Sequence, residues 1–344
     1  MAIESTGVGP ATAGGPSLAR FQKSYEKRRP YRDAIQYPPL TPGVTDTIDV
    51  HCHAHENQQD GLALAKHAST CGMGGLLYKT LPAREQPTTT LAGIKEGLHR
   101  WADAEQVEPI QVWAGFTTDR WNGGPTRAAV EPQLKAGVRA VWMPTASHAN
   151  SVYLTGGWRR WWDDTAPPGD LAEPMPLEEA IKLTGMYVLK DGKLDPEVAE
   201  IVRLCQEHDA ALFFGHLTPP EQDALAEEVD RQGFKKAVID HPFSLYVNLS
   251  PERMQQFTRL GIYLNFTYDE LSPLMGVDPN AMAQAIRAVG PEHCTLSSDA
   301  GEPLFPNSVE AMRLITAYMR AFGCTDAEIR QMAVDNPRYL VGAS

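Results

Sequence analysis

The stretch Thr47-Ile-Asp-Val-His-Cys-His53 decides the predicted fold, because a short apolar run ends here in two histidines. Apolar runs of about four to eight residues, bounded by turn residues, are typical of buried strands. Side chains two positions apart on a strand point to the same side. His51 and His53 can therefore share one metal ion at the end of this strand.

Seven further apolar runs follow, and amphipathic stretches separate them, which is the pattern of repeated βα units. The eight runs are residues 47–50, 75–79, 110–116, 140–143, 211–215, 237–240, 262–266 and 294–297. The sequence thus predicts an α/β fold, a (β/α)8 TIM barrel, over residues 46–344. An open doubly wound sheet is the alternative, but no GxGxxG follows the first strand.

The ends of the predicted helices are marked repeatedly. Glycine tolerates the left-handed conformation that ends many helices, and it stands before five strands, as Gly72, Gly137, Gly233, Gly261 and Gly290. Capping residues predict helix starts at Asp195 with Pro196, Thr218 with Pro219, Ser250 with Pro251, Asp278 with Pro279, and Thr325 with Glu328. These local signals agree with the βα pattern.

Two segments depart from this pattern. Residues 1–45 are predicted to form an N-terminal extension, and residues 146–195 a long loop insertion after strand four, with a hairpin over 187–194. Loops of this length often close over sites or bind ligands. For the tryptophans of the insertion, a small satellite core or a subunit contact is the alternative.

Three more polar residues stand where barrel active sites gather, at the C-terminal ends of strands. His216 follows strand five, His241 follows strand six and Asp299 follows strand eight. Imidazole and carboxylate ligands around an open position suit Zn, Mn, Fe or Ni, and such an ion lowers the pKa of a bound water toward about 7. A hydrogen-bonded core imidazole would explain each histidine alone, but it explains the set poorly.

With these residues in this order, the sequence resembles the amidohydrolase superfamily, and the ending Asp335-Asn-Pro-Arg-Tyr-Leu-Val-Gly342 is similar to the close of many members. The resemblance covers residues 46–342. It implies a divalent metal, with Zn preferred over Mn, Fe or Ni, held by His51, His53 and either His216 or His241. It also implies that Asp299 ligates the metal and moves the proton of the attacking water, and we expect His241 to take part in catalysis.

Strand four departs from the family pattern, because Trp142-Met-Pro-Thr145 offers no lysine that could bridge two metals. Whether one or two ions bind is therefore open. Lys79, at the end of strand two, is the only well-placed substitute. It could form a bridging carbamate, polarise an oxyanion or pair with a substrate carboxylate. The alternative is a strand-end lysine that reaches solvent.

Several loop residues are expected to contact the substrate beside Lys79, namely His148 after strand four, Trp158 in the insertion and Glu302 after Asp299. His55 and Glu56 could orient a ligand imidazole, or they could be solvated loop residues.

Composition limits the class of protein. A formal charge of -12 disfavours nucleic acid as a partner, because phosphate backbones bind basic surfaces. No apolar run approaches the roughly 18 residues that span a membrane, and the N-terminus lacks a secretory pattern, so the expected location is the cytoplasm. Five scattered cysteines indicate neither disulfides nor a thiolate zinc site. A small-molecule substrate and a homo-oligomeric state are expected.

Hydrolysis of a small amide or ester, cyclic forms included, is the main functional hypothesis from the sequence. Lyase chemistry at the same site, such as non-oxidative decarboxylation, is the second. A catalytically silent barrel that serves as a binding module is the third.

Overall fold

The computed structural model describes residues 43–54, 59–79, 87–155, 175–273, 275–301 and 305–343. Its strands are β1 (Ile48–Cys52), β2 (Gly75–Lys79), β3 (Gln111–Thr117), β4 (Ala140–Trp142), β5 (Leu189–Lys190), β6 (Lys193–Leu194), β7 (Ala211–Phe213), β8 (Ala237–Asp240), β9 (Tyr263–Thr267) and β10 (Cys294–Ser297). Each of the eight predicted apolar runs overlaps a strand, and β5 and β6 form the predicted hairpin.

Helices connect the strands. They are Gly61–Thr70, Pro87–Glu105, Arg127–Lys135, Ala149–Thr155, Leu177–Thr184, Pro196–Glu207, Pro219–Gln232, Pro251–Arg259, Tyr268–Leu271, Pro279–Val289, Ser308–Ala321, Asp326–Arg330 and Asn336–Val341, with a π-helical turn at Gln331–Asp335 and 3-10 turns at Arg120–Asn122 and Pro291–His293. Each of the five predicted capping residues stands directly before its helix, and the five predicted glycines have positive φ. Among the described residues, none of the helices has the length and apolar character that a membrane span requires.

The eight long strands form one parallel sheet in the order β1-β2-β3-β4-β7-β8-β9-β10. The first and last strands meet through a bridge between Cys52 and Ala300. The backbone N–H of Asp299 donates to the carbonyl of His51 at 2.7 Å, and that of His53 donates to Ala300 at 2.7 Å. The sheet is therefore a nearly closed (β/α)8 barrel, as predicted, and its two edges join beside the predicted ligands.

Two apolar layers hold the barrel. The inner layer is centred on Trp142 and Phe213, whose rings stack at 4.2 Å, and a larger layer fills the space between strands and helices. Gly115 makes room for the inner layer, because a Cβ at this position would lie 2.3 Å from the Trp142 ring.

The expected long loop after β4 is not confirmed. The described part of residues 146–195 contains two helices and the hairpin, and residues 156–174 lie outside the described residues, as do residues 1–42 of the expected N-terminal extension. The helix Ala149–Thr155 packs against Leu177–Thr184 through a small apolar cluster that includes Ala149, Val152 and Ala180. The segment between β4 and β7 therefore has secondary structure of its own.

Candidate metal centre

Three predicted ligands converge where β1 meets β10. Nε2 of His51 lies 3.0 Å from Oδ1 of Asp299, and Nε2 of His53 lies 3.1 Å from the same oxygen. The ligand atoms of these three residues all lie within 4.8 Å of one another. Two imidazole nitrogens and a carboxylate oxygen form a donor set that suits zinc.

His216 and His241 extend this group across the barrel mouth. The ring of His241 lies 6.0 Å from that of His51 and 5.3 Å from that of His216, measured between centroids. Four imidazoles therefore line the C-terminal ends of β1, β7 and β8. The three-residue cluster is the tighter group, and His216 and His241 stand beside it.

Asp240 holds the ring of His51. Its Oδ1 accepts hydrogen bonds from Nδ1 of His51 at 3.1 Å and from Nδ2 of Asn265 at 2.8 Å, while its Oδ2 accepts from Nε1 of Trp142 at 2.6 Å. A carboxylate bonded to one ring nitrogen of a histidine sets the tautomer and directs the other nitrogen to a metal. Asp240 is fully buried, so this arrangement is shielded from water.

The sequence pattern alone does not predict the role of Asp240. One signal was present, because a carboxylate ends the otherwise apolar run Ala237–Asp240 and directly precedes His241. Trp142 was noted only because strand four lacks a lysine, although its indole donates to Asp240 in the barrel interior.

A serine determines the tautomer of His216. The Oγ of Ser151 donates its only proton to the carbonyl of Thr145 at 2.8 Å, so it must accept from Nδ1 of His216, also at 2.8 Å. Nε2 of His216 then carries the lone pair.

Nδ1 of His241 similarly lies 2.8 Å from Oγ of Ser244. Tyr246 stacks on His216 at 4.1 Å, with an interplanar angle of 4°.

The electrostatics of the cluster favour a positive charge at Nε2 of His51. Burial by itself lowers the pKa of His51, but the carboxylates of Asp299 and Asp240 outweigh burial and raise it to about 9. Burial raises the pKa of both carboxyls, yet the adjacent His51 holds that of Asp299 well below its usual range and lowers that of Asp240 to about 2. A proton supplies the positive charge in the metal-free protein, and a divalent cation fits the same position.

His53 and His216 are neutral. Burial lowers the pKa of His53 to about 3, and it lowers that of His216 well below its usual value. Neutral imidazole is the form that binds metals, because the ligating nitrogen must carry a lone pair.

Backbone geometry also marks the site. Asp299 and His241 both have left-handed backbones, with φ of 49° and 33°. Such conformations cost about 1–2 kcal/mol in residues other than glycine and often occur where function requires them. Here they occur at two predicted site residues, the first residue after β8 and the second residue after β10.

Lys79 lies inside the cluster. Its Nζ is 3.0 Å from Nε2 of His51 and 5.6 Å from the ring centroid of Trp142, and the residue is only 7% exposed. The alternative of a strand-end lysine that reaches solvent does not fit this position.

His148 does not face the site. Its Nδ1 accepts from the backbone N–H of Asn150 at 3.1 Å, its Nε2–H donates to Glu221 at 3.0 Å, and the side chain is fully buried. Both ring nitrogens thus form hydrogen bonds inside the protein, so neither is available to a substrate. Trp158 and Glu302, as well as His55 and Glu56, lie outside the described residues.

We expect substitution of Asp240 to weaken metal binding. In Asp240→Asn, the new amide N–H group faces the three side chains that donate hydrogen bonds to Asp240, and the negative charge that holds His51 is lost. Metal affinity should therefore fall by about 10–100-fold. Of the three hydrogen bonds to Asp240, Trp142→Phe removes only the one to Oδ2, so it should lower metal affinity less than Asp240→Asn does. Competition with a chromophoric chelator measures both affinities. Equal affinities of Asp240→Asn and wild type would contradict the assigned role of Asp240.

A family model described as a family of unknown function, DUF6282, matches residues 46–265. No curated protein matches the sequence.

Solved structures share the fold. An amidohydrolase from Pseudomonas aeruginosa is 12% identical with a TM-score of 0.55, over 89% of this chain and 100% of that one. A metallopeptidase from Rhodobacter sphaeroides, liganded with a phosphinate mimic of the dipeptide L-Ala-D-Ala, is 13% identical with a TM-score of 0.54, over 87% of this chain and 99% of that one. These similarities show that the chain shares its barrel fold with both proteins.

Proposed function

We propose that this chain, which belongs to DUF6282, a family of unknown function, is a metal-dependent hydrolase of a small amide or ester, cyclic forms included. The observation that carries the proposal is the convergence of His51, His53 and Asp299 on one position at the C-terminal mouth of the barrel. One divalent cation, with Zn preferred over Mn, Fe or Ni, matches this donor set. The names of the two structural neighbours agree with this reaction class.

A bound cation would supply Lewis-acid activation of a carbonyl group and of water. Asp299 is the residue that moves the proton. Its Oδ1 lies 3.0 Å from Nε2 of His51 and 3.1 Å from Nε2 of His53, and as a carboxylate it can accept a proton from water and pass it to the leaving group. The hydrogen bond from its backbone N–H to His51 fixes its position.

The outer histidines contact the substrate or complete the ligand set. The lone pair on Nε2 of His216 can accept a hydrogen bond or bind the cation, because Ser151 occupies Nδ1. His241 is buried between His51 and His216, and Ser244 restrains its ring. We assign His241 to the reacting carbonyl group.

We expect protein purified without chelators to contain about one divalent ion per chain, and His51→Ala to contain almost none, because the substitution removes a buried ligand and its hydrogen bond to Asp240. Elemental analysis measures the metal content. His99→Ala is the matched control, since His99 is an exposed residue of the helix Pro87–Glu105. Equal metal content in wild type and His51→Ala would refute the proposed centre.

Activity is tested by screening lactones, cyclic amides and N-acyl compounds with the metal-loaded protein in water enriched in oxygen-18. Hydrolysis must place solvent oxygen in the product. A decarboxylase is the second candidate, favoured by the buried cation Lys79, which could hold a substrate carboxylate. Release of carbon dioxide without incorporation of solvent oxygen would favour the decarboxylase over the hydrolase.

A further inference from the structure

Lys79 is a buried cation at the centre of the candidate site. It ends β2, with Nζ 3.0 Å from Nε2 of His51, and it is about as exposed as His53, at 7% against 9%. A ligand that reaches His53 from the barrel mouth therefore has similar access to Lys79. The Nζ of Lys79 also lies 5.6 Å from the ring centroid of Trp142, whose indole donates to Asp240, so the ammonium stands among the residues that hold His51.

The charges at the site do not balance once the cation is bound. With their ordinary charges, Asp240 and Asp299, which lie 3.1 and 3.0 Å from the ring nitrogens of His51, contribute two negative charges, and Lys79, at 3.0 Å, contributes one positive charge. A divalent cation held by neutral histidines adds two more, so the group carries an excess of one positive charge. Unmatched buried charge is unfavourable, which means that this site favours an anionic ligand.

The hydrogen bonding of Lys79 also bears on the ligand. Nζ of Lys79 lies 3.0 Å from Nε2 of His51. This nitrogen accepts no hydrogen bond from the ammonium while it carries a proton, and it accepts none while it binds a cation. The ammonium then needs another acceptor, and a carboxylate is the strongest small organic partner for it.

We propose that Lys79 binds a carboxylate of the substrate, so that the compounds hydrolysed here carry a carboxylate next to the scissile group. This inference rests on the proposed metal-dependent function. An oxyanion formed during the reaction would not satisfy the resting site, because the excess charge is present before chemistry begins. A ligand that is anionic in its ground state does satisfy it.

Calorimetric binding tests the proposal without turnover. The probes are malonate, succinate and glutarate, each compared with its monoamide, which has a similar size and one carboxylate fewer. The zinc-loaded wild type should bind at least one dicarboxylate about tenfold more tightly than its monoamide, since one carboxylate can bind the cation and the other Lys79. In zinc-loaded Lys79→Met, this ratio should fall to near one.

Lys236→Met is the matched control. Lys236 is also 7% exposed and is paired with Asp209, but it precedes β8 and lies at the opposite end of the barrel. The dicarboxylate preference should survive this substitution. Lys79→Gln provides a second neutral variant if Lys79→Met does not fold, and thermal melts report folding for every variant.

The outcomes separate the two proposals. A preference below twofold in the wild type for all three pairs, or one that persists in folded Lys79→Met, overturns the role of Lys79. Metal binding with a Lys79-dependent preference, but no hydrolysis of any amide or ester, overturns the proposed reaction and leaves the carboxylate site standing. A chain that binds no metal removes the basis of both.

Discussion

Asp299→Asn should lower the rate of hydrolysis by about 10²–10⁴-fold in the metal-loaded protein, because the amide cannot accept the proton of the attacking water. Asparagine tolerates the left-handed backbone of this position, where φ is 49°, so the substitution changes the chemistry with little added strain. Metal content should also fall, since Oδ1 of Asp299 belongs to the ligand cluster. Rates measured at equal metal occupancy separate these two effects.

Asp209→Asn is the control for this experiment. Asp209 also has a left-handed backbone, with φ of 53°, but it is exposed and pairs with Lys236 at the opposite end of the barrel. Its substitution should leave the rate unchanged. An Asp299→Asn enzyme that retains the wild-type rate at full metal occupancy would exclude Asp299 as the proton-transferring residue.

Gly215→Ala should lower the free energy of unfolding by about 3 kcal/mol, because two unfavourable effects combine at this position. The backbone of Gly215 is left-handed, with φ of 60°, and a Cβ there would lie 2.4 Å from the carbonyl oxygen of Met143 and 2.7 Å from that of Pro144. The neighbouring backbone must move, and His216 would move with it. Chemical denaturation of the metal-free protein measures the loss.

Gly233→Ala measures the conformational part of this effect, so the difference between the two variants gives the steric part. Gly233 has nearly the same backbone, with φ of 66°, but an added Cβ would meet no atom within 4 Å. Its substitution should cost only about 1 kcal/mol, from the left-handed conformation alone. If both variants lose the same free energy of unfolding, the close approach between Gly215 and the backbone that follows β4 does not contribute to the loss.

Local sequence signals determined the elements of this protein. Apolar runs gave eight strands, and residues such as Thr218 and Gly233 gave the two ends of a helix. Each of these features depends on neighbours within a few residues along the chain, where side-chain periodicity and capping hydrogen bonds act directly. The barrel followed from their alternation, and the strand ends followed from the barrel.

The partners of the site residues could not be deduced in this way. His51 and Asp240 are 189 residues apart, and His53 and Asp299 are 246 apart, so only closure of the barrel brings each pair together. The sequence also predicts that His148 faces the substrate. Only the folded chain shows that His148 instead forms a buried hydrogen bond with Glu221.

The sequence by itself therefore determined the fold and the set of candidate ligands, because strand ends in a barrel share one face. Only the tertiary structure decided which of these side chains meet. It joined His51 and His53 to Asp299, placed Asp240 behind His51, and buried Lys79 beside the cluster. The physical reason is that hydrogen-bond distances of about 3 Å depend on the twist and closure of the whole sheet, which no local segment encodes.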